Sequence, residues 1–526
     1  FLGQISQQQI LAANTSNACA FGTSISISDD DQWLYIGAPN NSNVYIYGFD
    51  NTITSANATV TGNGVGSTYS LSFTPVSAEV VKVSQLSNVF VPYVDYTTSG
   101  STIIFTTPPT GSVLVRQSPG YRLIGYINGN AGSKFGYSVA TSTGGTQVVI
   151  GAPLETVTAL TNSGSIKIYD RSIENFIASG SAYQTFGGVR PVTSISKVYL
   201  NGELQTLNVD YVVILSTSIK FISAPEAGSL VTIETNQFNL IQNIVPQVSI
   251  LAAQFGYSVD LCPNNCSVYV GAPYRDNVNI KEAGGVYRLL NQGRVYGSVV
   301  GTVQNPTLTL GNSIRLNDFE VIFGGTTLSS LVTQINAANI PGVTATNQNG
   351  YLALTCDSQL VANKLRVLPG SGSALSVLGL TVFKQTEVII NPTQQSSFGP
   401  YFDHFGLNVK INDASDILVV SSPDATTIEY MLFDGGTTVF DTNSTNLRDD
   451  ISSGSVWVMS YLGDSRNTID YPGNFNFIQQ LTPGSLGILA PFAKFGCAVD
   501  ISAYQMLVGS YAFDSVAING GIVYEF

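Results

Sequence analysis

The stretch KFGYSVATSTGGTQVVIGAP, Lys134 to Pro153, decides how the chain is read. Alternating and β-branched residues mark two short strands rather than a helix. Phe-Gly opens the first strand and Gly-Ala-Pro closes the second. Glycine allows a positive φ or a close backbone approach that a side chain would block. Proline removes a ladder donor and so ends a strand.

The same text recurs. AFGTSISISDDDQWLYIGAP starts at Ala20 and QFGYSVDLCPNNCSVYVGAP at Gln254. HFGLNVKINDASDILVVSSP starts at His404 and KFGCAVDISAYQMLVGSY at Lys494. A third strand follows each, as in NVYIY from Asn43, GSIKIY from Gly164, GGVYRL from Gly284, GSVWVMSY from Gly454 and GGIVYEF from Gly520. A fourth precedes the next Phe-Gly: YRLIGYI at Tyr121, FNLIQNI at Phe238, EVIINP at Glu387 and FNFIQQL at Phe475. Four-stranded units repeated in this way predict an all-β fold of radially packed sheets, a β-propeller.

At these residues the sequence resembles FG-GAP repeats, the blades of the integrin α-subunit head. Gly37-Ala38-Pro39, Gly151-Ala152-Pro153 and Gly271-Ala272-Pro273 match the motif, and Ser421-Ser422-Pro423 and Gly509-Ser510-Tyr511 are worn versions of it. Five Phe-Gly starts predict five blades, where integrin heads have seven. The last repeat ends on its third strand, and the opening segment FLGQISQQQI is similar to the fourth strands. The expectation is a five-bladed propeller closed by the N-terminal strand, with the segment near Leu2 beside Tyr524, which leaves no free sheet edge at the seam. Because the chain opens on Phe1 inside that strand, a cut precursor or a piece of a longer polypeptide is expected.

A four-stranded blade needs about 40–50 residues, and the Phe-Gly starts are spaced much more widely. Residues 1–59, 117–171, 235–294 and 386–526 are assigned to blades. Residues 60–116 and 172–234 are read as inserted β modules and 295–385 as an inserted α+β module. The first two share a pattern: Asp95-Tyr96 and Asp210-Tyr211, an alternating strand with Ile and Phe, then Pro-x-x-Gly and another strand. Asn201-Gly202 is a hairpin turn signal. These modules resemble small β modules of bacteriophage tail fibre and other virion proteins. In the third, Leu328, Leu331, Val332 and Ile335 have helical spacing behind a Thr326-Thr327 cap. Its order of elements is similar to modules of flagellar hook-associated and phage tail proteins. Residues from Asp424 to Ser453 read as a long loop or hairpin.

Composition narrows the partners. The chain is 44% hydrophobic and only 10% charged, against about a quarter for ordinary soluble domains. Its net charge of −13 argues against nucleic acid and against anionic membrane surfaces. No apolar run in this sequence approaches the roughly 18 residues of a membrane span, and the sequence is expected to carry no direct evidence about targeting. Five cysteines, Cys19, Cys262, Cys266, Cys356 and Cys497, cannot all pair with one another. Cys262 and Cys266 flank a turn where a bridge is geometrically open, but free thiols are the expectation. One histidine and no second Cys pair argue against a zinc site.

No catalytic, cofactor-binding or metal-binding residue is assigned, and the protein is expected not to be an enzyme and to carry no cofactor. Integrin-type repeats carry Ca²⁺ loops between the first two strands. Asp29, Asp30 and Asp31 in one loop and Asp413 and Asp416 in another lack the ligand pattern calcium needs, and read as solvated turns. His404 fills a slot held by Ala20, Lys134, Gln254 and Lys494 in other repeats, which marks it as structural or exposed and removes the base of a Ser-His-Asp triad. Five-bladed propellers include glycosidases with axial carboxylates. Asp260 and Asp500 are the candidates, with Ser26, Ala140 and Lys410 as their equivalents, and they read as exposed or turn-capping residues. Tyr45, Tyr169, Tyr287 and Tyr524 read as blade packing rather than a sugar platform. The resemblance implies a virion structural protein of a tailed phage, a fibre, decoration or vertex component, located in the extracellular particle. Its partners would be other virion proteins, further copies of the chain and a host-surface glycan or receptor. The alternatives are a secreted integrin-like adhesin and, third, a glycosidase.

Overall fold

The computed structural model describes residues 9–13, 18–86, 88–187, 197–214, 217–247, 250–263, 266–276, 281–293, 297–356, 365–372, 374–391, 403–425, 454–461, 475–482, 493–503, 505–512 and 520–526. The chain is all-β, with many small antiparallel sheets and two short helices among these residues. It divides into two compact units, Phe1–Val139 with Thr143–Gly145, and Ala140–Ser142 with Thr146–Phe526.

Each Phe-Gly repeat forms one meander. The first sheet runs Ile25–Ile27, Trp33–Ala38, Asn43–Asp50, Gly120–Asn128. The third runs Ser258–Leu261, Ser267–Gly271, Val286–Asn291, Phe383–Ile389, and the fourth Asn408–Ile411, Ile417–Ser422, Ser455–Tyr461, Phe475–Leu481. The second starts Ser138–Thr141, Gln147–Ala152, and its long strands Ser165–Ile177 and Leu230–Ile244 continue into an inserted module. The fifth has three described strands, Phe495–Ile501, Met506–Ser510 and Ile522–Glu525. The opening segment expected beside them, residues 1–8 with Leu2, lies outside the described residues, as do residues 426–453 of the expected loop.

The Phe-Gly pair is a turn requirement. The residue before it is left-handed in all five repeats, with φ between 53° and 57° at Ala20, Lys134, Gln254, His404 and Lys494. Its carbonyl accepts the N–H three residues on in every repeat, as from Tyr137 at 3.0 Å and Cys497 at 3.1 Å. The glycine takes the third turn position at φ 88° to 97°, a conformation that L side chains resist. The phenylalanine points into its own sheet. Phe21 meets Tyr45, Phe255 meets Tyr287, Phe405 meets Trp457 and Phe495 meets Tyr524, edge to face at 5.0–5.2 Å. Such pairs add about 0.5–1.5 kcal/mol beyond area burial. Tyr45, Tyr169 and Tyr287 are buried and Tyr524 is half-buried.

The second glycine, of Gly-Ala-Pro, serves the next repeat. A Cβ on Gly37 would lie 1.9 Å from the Gly136 carbonyl oxygen, and one on Gly271 would lie 2.0 Å from that of Gly406. The third strand adds a parallel bridge to the following Phe-Gly: Gly164 to Phe255, Gly284 to Phe405 and Gly454 to Phe495. The two glycines of the motif are therefore two halves of one joint between consecutive sheets.

Two inserts are copies of one module. In the first, strands Ala56–Asn63, Thr110–Gln117, Val81–Gln85 and Asn88–Phe90 form a sheet beside Thr68–Ser70, Thr102–Phe105 and Tyr96–Ser99. Its core is Val83, Tyr96, Ile103, Phe105, Val113 and Val115. The second repeats this with Val198, Tyr211, Ile219, Phe221, Val231 and Ile233. The likeness extends to single bonds. Asp95 Oδ2 accepts Val91 N–H at 2.7 Å where Asp210 Oδ2 accepts Thr206 N–H at 2.8 Å. Asn201 and Gly202 both have positive φ, as the hairpin turn requires. The third insert packs the helix Leu328–Ala337 on the sheet of Ser298–Val300, Tyr351–Cys356 and Val343–Gln348, with a second three-stranded sheet in the same module, and Thr327 caps the helix by accepting Ser330 N–H at 3.2 Å.

Candidate functional site

All three modules hang from the same place in their sheets, the connection between third and fourth strands. The chain leaves at Asp50, Arg171 and Asn291 and returns at Gly120, Phe238 and Phe383. Modules one and two have separate cores, as given above, so surface residues on them vary without disturbing the parent sheet. The third shares one apolar core with the second and third sheets, in which Ile168 and Leu289 join Ile314 and Leu316, and it is also tied by charge. Arg366 Nε donates to Asp170 Oδ2 at 3.0 Å, and its Nη1 donates to Asp318 Oδ1 and Oδ2 at 3.0 and 2.9 Å. Nη2 completes a second contact with Asp170. Asp170 belongs to the third strand of the second sheet, and burial raises its pKa against the opposing pull of Arg366. Nothing periodic in the sequence pairs residues so far apart, and the cluster escaped the sequence reading.

The axial candidates Asp260 and Asp500 come together around Lys410. Lys410 Nζ lies 4.0 Å from Asp260 Oδ1 and 3.8 Å from Asp500 Oδ1. Asp260 Oδ2 accepts Ile411 N–H at 2.8 Å. Burial raises the Asp260 pKa while Lys410 opposes it, and Asp260 in turn raises the Lys410 pKa. The three residues occupy one register position in consecutive repeats, so this arrangement ties first strand to first strand. Ser26 and Ala140 at the same register carry no charge.

One carboxylate in each acidic loop bonds within its own turn. Asp30 Oδ1 accepts Ser28 Oγ at 2.5 Å and Gln32 N–H at 3.1 Å. Asp416 Oδ1 accepts Asn412 Nδ2 at 2.8 Å. Among the described residues no group of three His, Cys, Asp or Glu side chains is placed to hold a metal.

Cys262 and Cys266 are joined in a disulfide, which corrects the expectation of free thiols. They flank one hairpin turn with Cα atoms 6.0 Å apart, inside the span a bridge covers. Cys19, Cys356 and Cys497 form no disulfide.

His404 is held on both sides. Its Nδ1 is 2.7 Å from Asp424 Oδ2 and its Nε2 is 3.2 Å from Glu282 Oε2. The Tyr274 ring lies 4.6 Å from the imidazole, and Lys494 Nζ binds the other oxygen of Asp424. This is again a repeat position. The residue after Gly-Ala-Pro, or its worn version, touches the residue before the next Phe-Gly: Asn40 with Lys134, Tyr274 with His404, Asp424 with Lys494. Aligning each repeat against its successor, rather than against itself, would have revealed these pairs.

No protein-family model matches the sequence, and no curated protein matches it. Among solved structures, Kuenenia stuttgartiensis hydrazine synthase aligns over 98% of each chain at 8% identity with a TM-score of 0.22. A score that low carries no argument about fold or activity. No helix among the described residues is long and apolar enough to cross a membrane.

Proposed function

We propose that the five repeat sheets close into a five-bladed β-propeller, completed by the N-terminal strand, and that this ring is a non-enzymatic display scaffold of a tailed-phage particle. The ring would hold its three inserted modules for docking to other particle proteins or to a host-surface glycan or receptor.

One observation carries the closure: the first and fifth repeats retain the unmatched halves of the joint. An added Cβ on Gly22 would meet nothing within 4 Å, whereas at Gly136, Gly256 and Gly406 it would meet the start of the preceding repeat's third strand at Asn43 O, Ser165 O and Gly285 O. A Cβ on Gly509 would meet only its own repeat, at 3.5 Å. Ile25 is 62% exposed, while its equivalents Val139, Val259, Val409 and Val499 are all buried. Val523 is 66% exposed, while Val44, Ile166, Val286 and Val456 are all at 0%. An apolar face on each terminal repeat fits a joint of the kind already present between the others.

The display role rests on the placement of three modules at one corner type, and on two of them being copies with their own cores. Their resemblance to virion modules supplies the particle assignment, and the low charge suits wet, shape-based contacts. Particles purified through a density gradient and washed in high salt should retain the chain in fixed stoichiometry. Recovery only in the soluble fraction would contradict the assignment.

A further inference from the structure

We infer that His404 is a proton-operated latch joining the third, fourth and fifth repeat sheets, closed while the imidazole carries both protons. Both ring nitrogens face carboxylates. Nδ1–H donates to Asp424 Oδ2 at 2.7 Å, and Nε2–H donates to Glu282 Oε2 at 3.2 Å. A neutral imidazole has one donor, so it serves only one of them. The other nitrogen then turns a lone pair toward an ionised oxygen.

The latch spans three sheets. Glu282 stands just before the third strand of the third sheet. His404 opens the fourth repeat, and Asp424 follows its second strand. Lys494 opens the fifth repeat and holds the second oxygen of Asp424. Backbone bonds run beside the side chains: His404 N–H donates to Glu282 O at 3.2 Å and Phe405 N–H to Ala283 O at 3.4 Å. With His404 protonated, two cations face two carboxylates. Loss of one proton leaves an unbalanced negative charge in a site where His404 is 14% exposed. The Asp424 bond is the shorter, and Asp424 keeps Lys494. Glu282, at 40% exposure, is the side that lets go. Asp403 adjoins the same histidine and is bonded to Asn391 Nδ2 at 3.2 Å, and Tyr274 covers one ring face.

The direction with pH follows from these contacts. Burial works against the charged imidazole, but the bonds to Asp424 and Glu282 outweigh it, and the His404 pKa is raised. Its contribution is complete below the ordinary value of about 6.5 and is lost as pH rises through the raised value. Burial also opposes ionisation of Asp424, yet its bonds to His404 and Lys494 prevail and its pKa is lowered. That contribution is present above the ordinary carboxylate value and is lost as pH falls through the lowered one. Burial raises Asp403 to about 6, so its protonation below that point favours the folded joint. The latch is therefore firmest on the mildly acidic side of neutrality and opens on the alkaline side.

His404 is the only histidine in the chain, so selective ¹⁵N-histidine labelling of the full protein gives one ring to follow. The expected result is two protonated nitrogens at pH 6.5, with a transition above the free-histidine value that moves down in Glu282→Gln and in Asp424→Asn. Amide exchange at His404 and Phe405 should lose protection through the same transition, and that step should vanish in His404→Gln. A ring that titrates at or below the free value overturns the latch, and the wild-type titration alone decides this if the variants fold poorly. A raised transition with no accompanying exchange step also overturns it, because the histidine would then be an ion pair that holds nothing.

Discussion

The matched pair Gly271→Ala and Gly509→Ala probes the joint between repeats. At Gly271 a methyl group would sit 2.0 Å from the Gly406 carbonyl oxygen and 2.3 Å from Ser258 Oγ. Ordinary contact needs more than a further ångström, and Gly406 is held by backbone bonding to Ser421. Overpacking of this kind costs about 1–3 kcal/mol, and a rigid backbone neighbour places it at the upper end. At Gly509 the nearest atoms are Ala498 Cβ and Cys497 Sγ, both 3.5 Å away and in the same repeat. An isolated fifth sheet would accept alanine there without loss, or with a gain of about 0.4–1 kcal/mol from reduced unfolded-state freedom. In a closed ring Gly509 faces Gly22 as Gly271 faces Gly406, and the cost becomes about 1–3 kcal/mol again. Urea denaturation followed by tryptophan and tyrosine fluorescence reads both variants against wild type. Comparable destabilisation of the two is the expected result. A neutral or stabilised Gly509→Ala beside a destabilised Gly271→Ala refutes closure through that joint.

Arg366→Met strips the cation from Asp170 and Asp318 and should cost about 3–5 kcal/mol. Adding Asp170→Asn should recover part of the loss in the same denaturation assay. Thr327→Ala removes the cap of the module-three helix and should cost about 1 kcal/mol, seen as faster amide exchange at Ser330.

The repeat sheets were legible because their signals are local backbone demands. The turn at Lys134-Phe135-Gly136 needs glycine in its third position, and the Gly37 strand needs a missing Cβ, so the text repeats whatever the side chains nearby do. Module edges were less visible. The first module's strands begin at Ala56 and end at Gln117, while Ser165–Ile177 runs from the second sheet into the next module without a break. Alternation continues through such a strand, so a hydrophobic pattern gives no boundary. Charged contacts such as Arg366 with Asp170 depend on how the chain returns on itself, and no spacing encodes that. The Cys262–Cys266 bridge was visible as a geometric option, but its choice over free thiols depended on how Ser258–Leu261 and Ser267–Gly271 pair. His404 was correctly placed in a repeat slot, yet its partners come from the repeat before it and from the end of its own second strand.

Alkylation of a cysteine at Val523 tests ring closure most directly. Val523→Cys would be compared in the native monomer with Leu86→Cys, a position fully exposed on the first module, with modification mapped by peptide mass. A closed propeller predicts that the thiol at 523 stays protected while the one at 86 reacts, as its buried equivalents Val44, Ile166, Val286 and Val456 imply. Equal reaction rates at the two positions in a monomeric protein would contradict the closed ring.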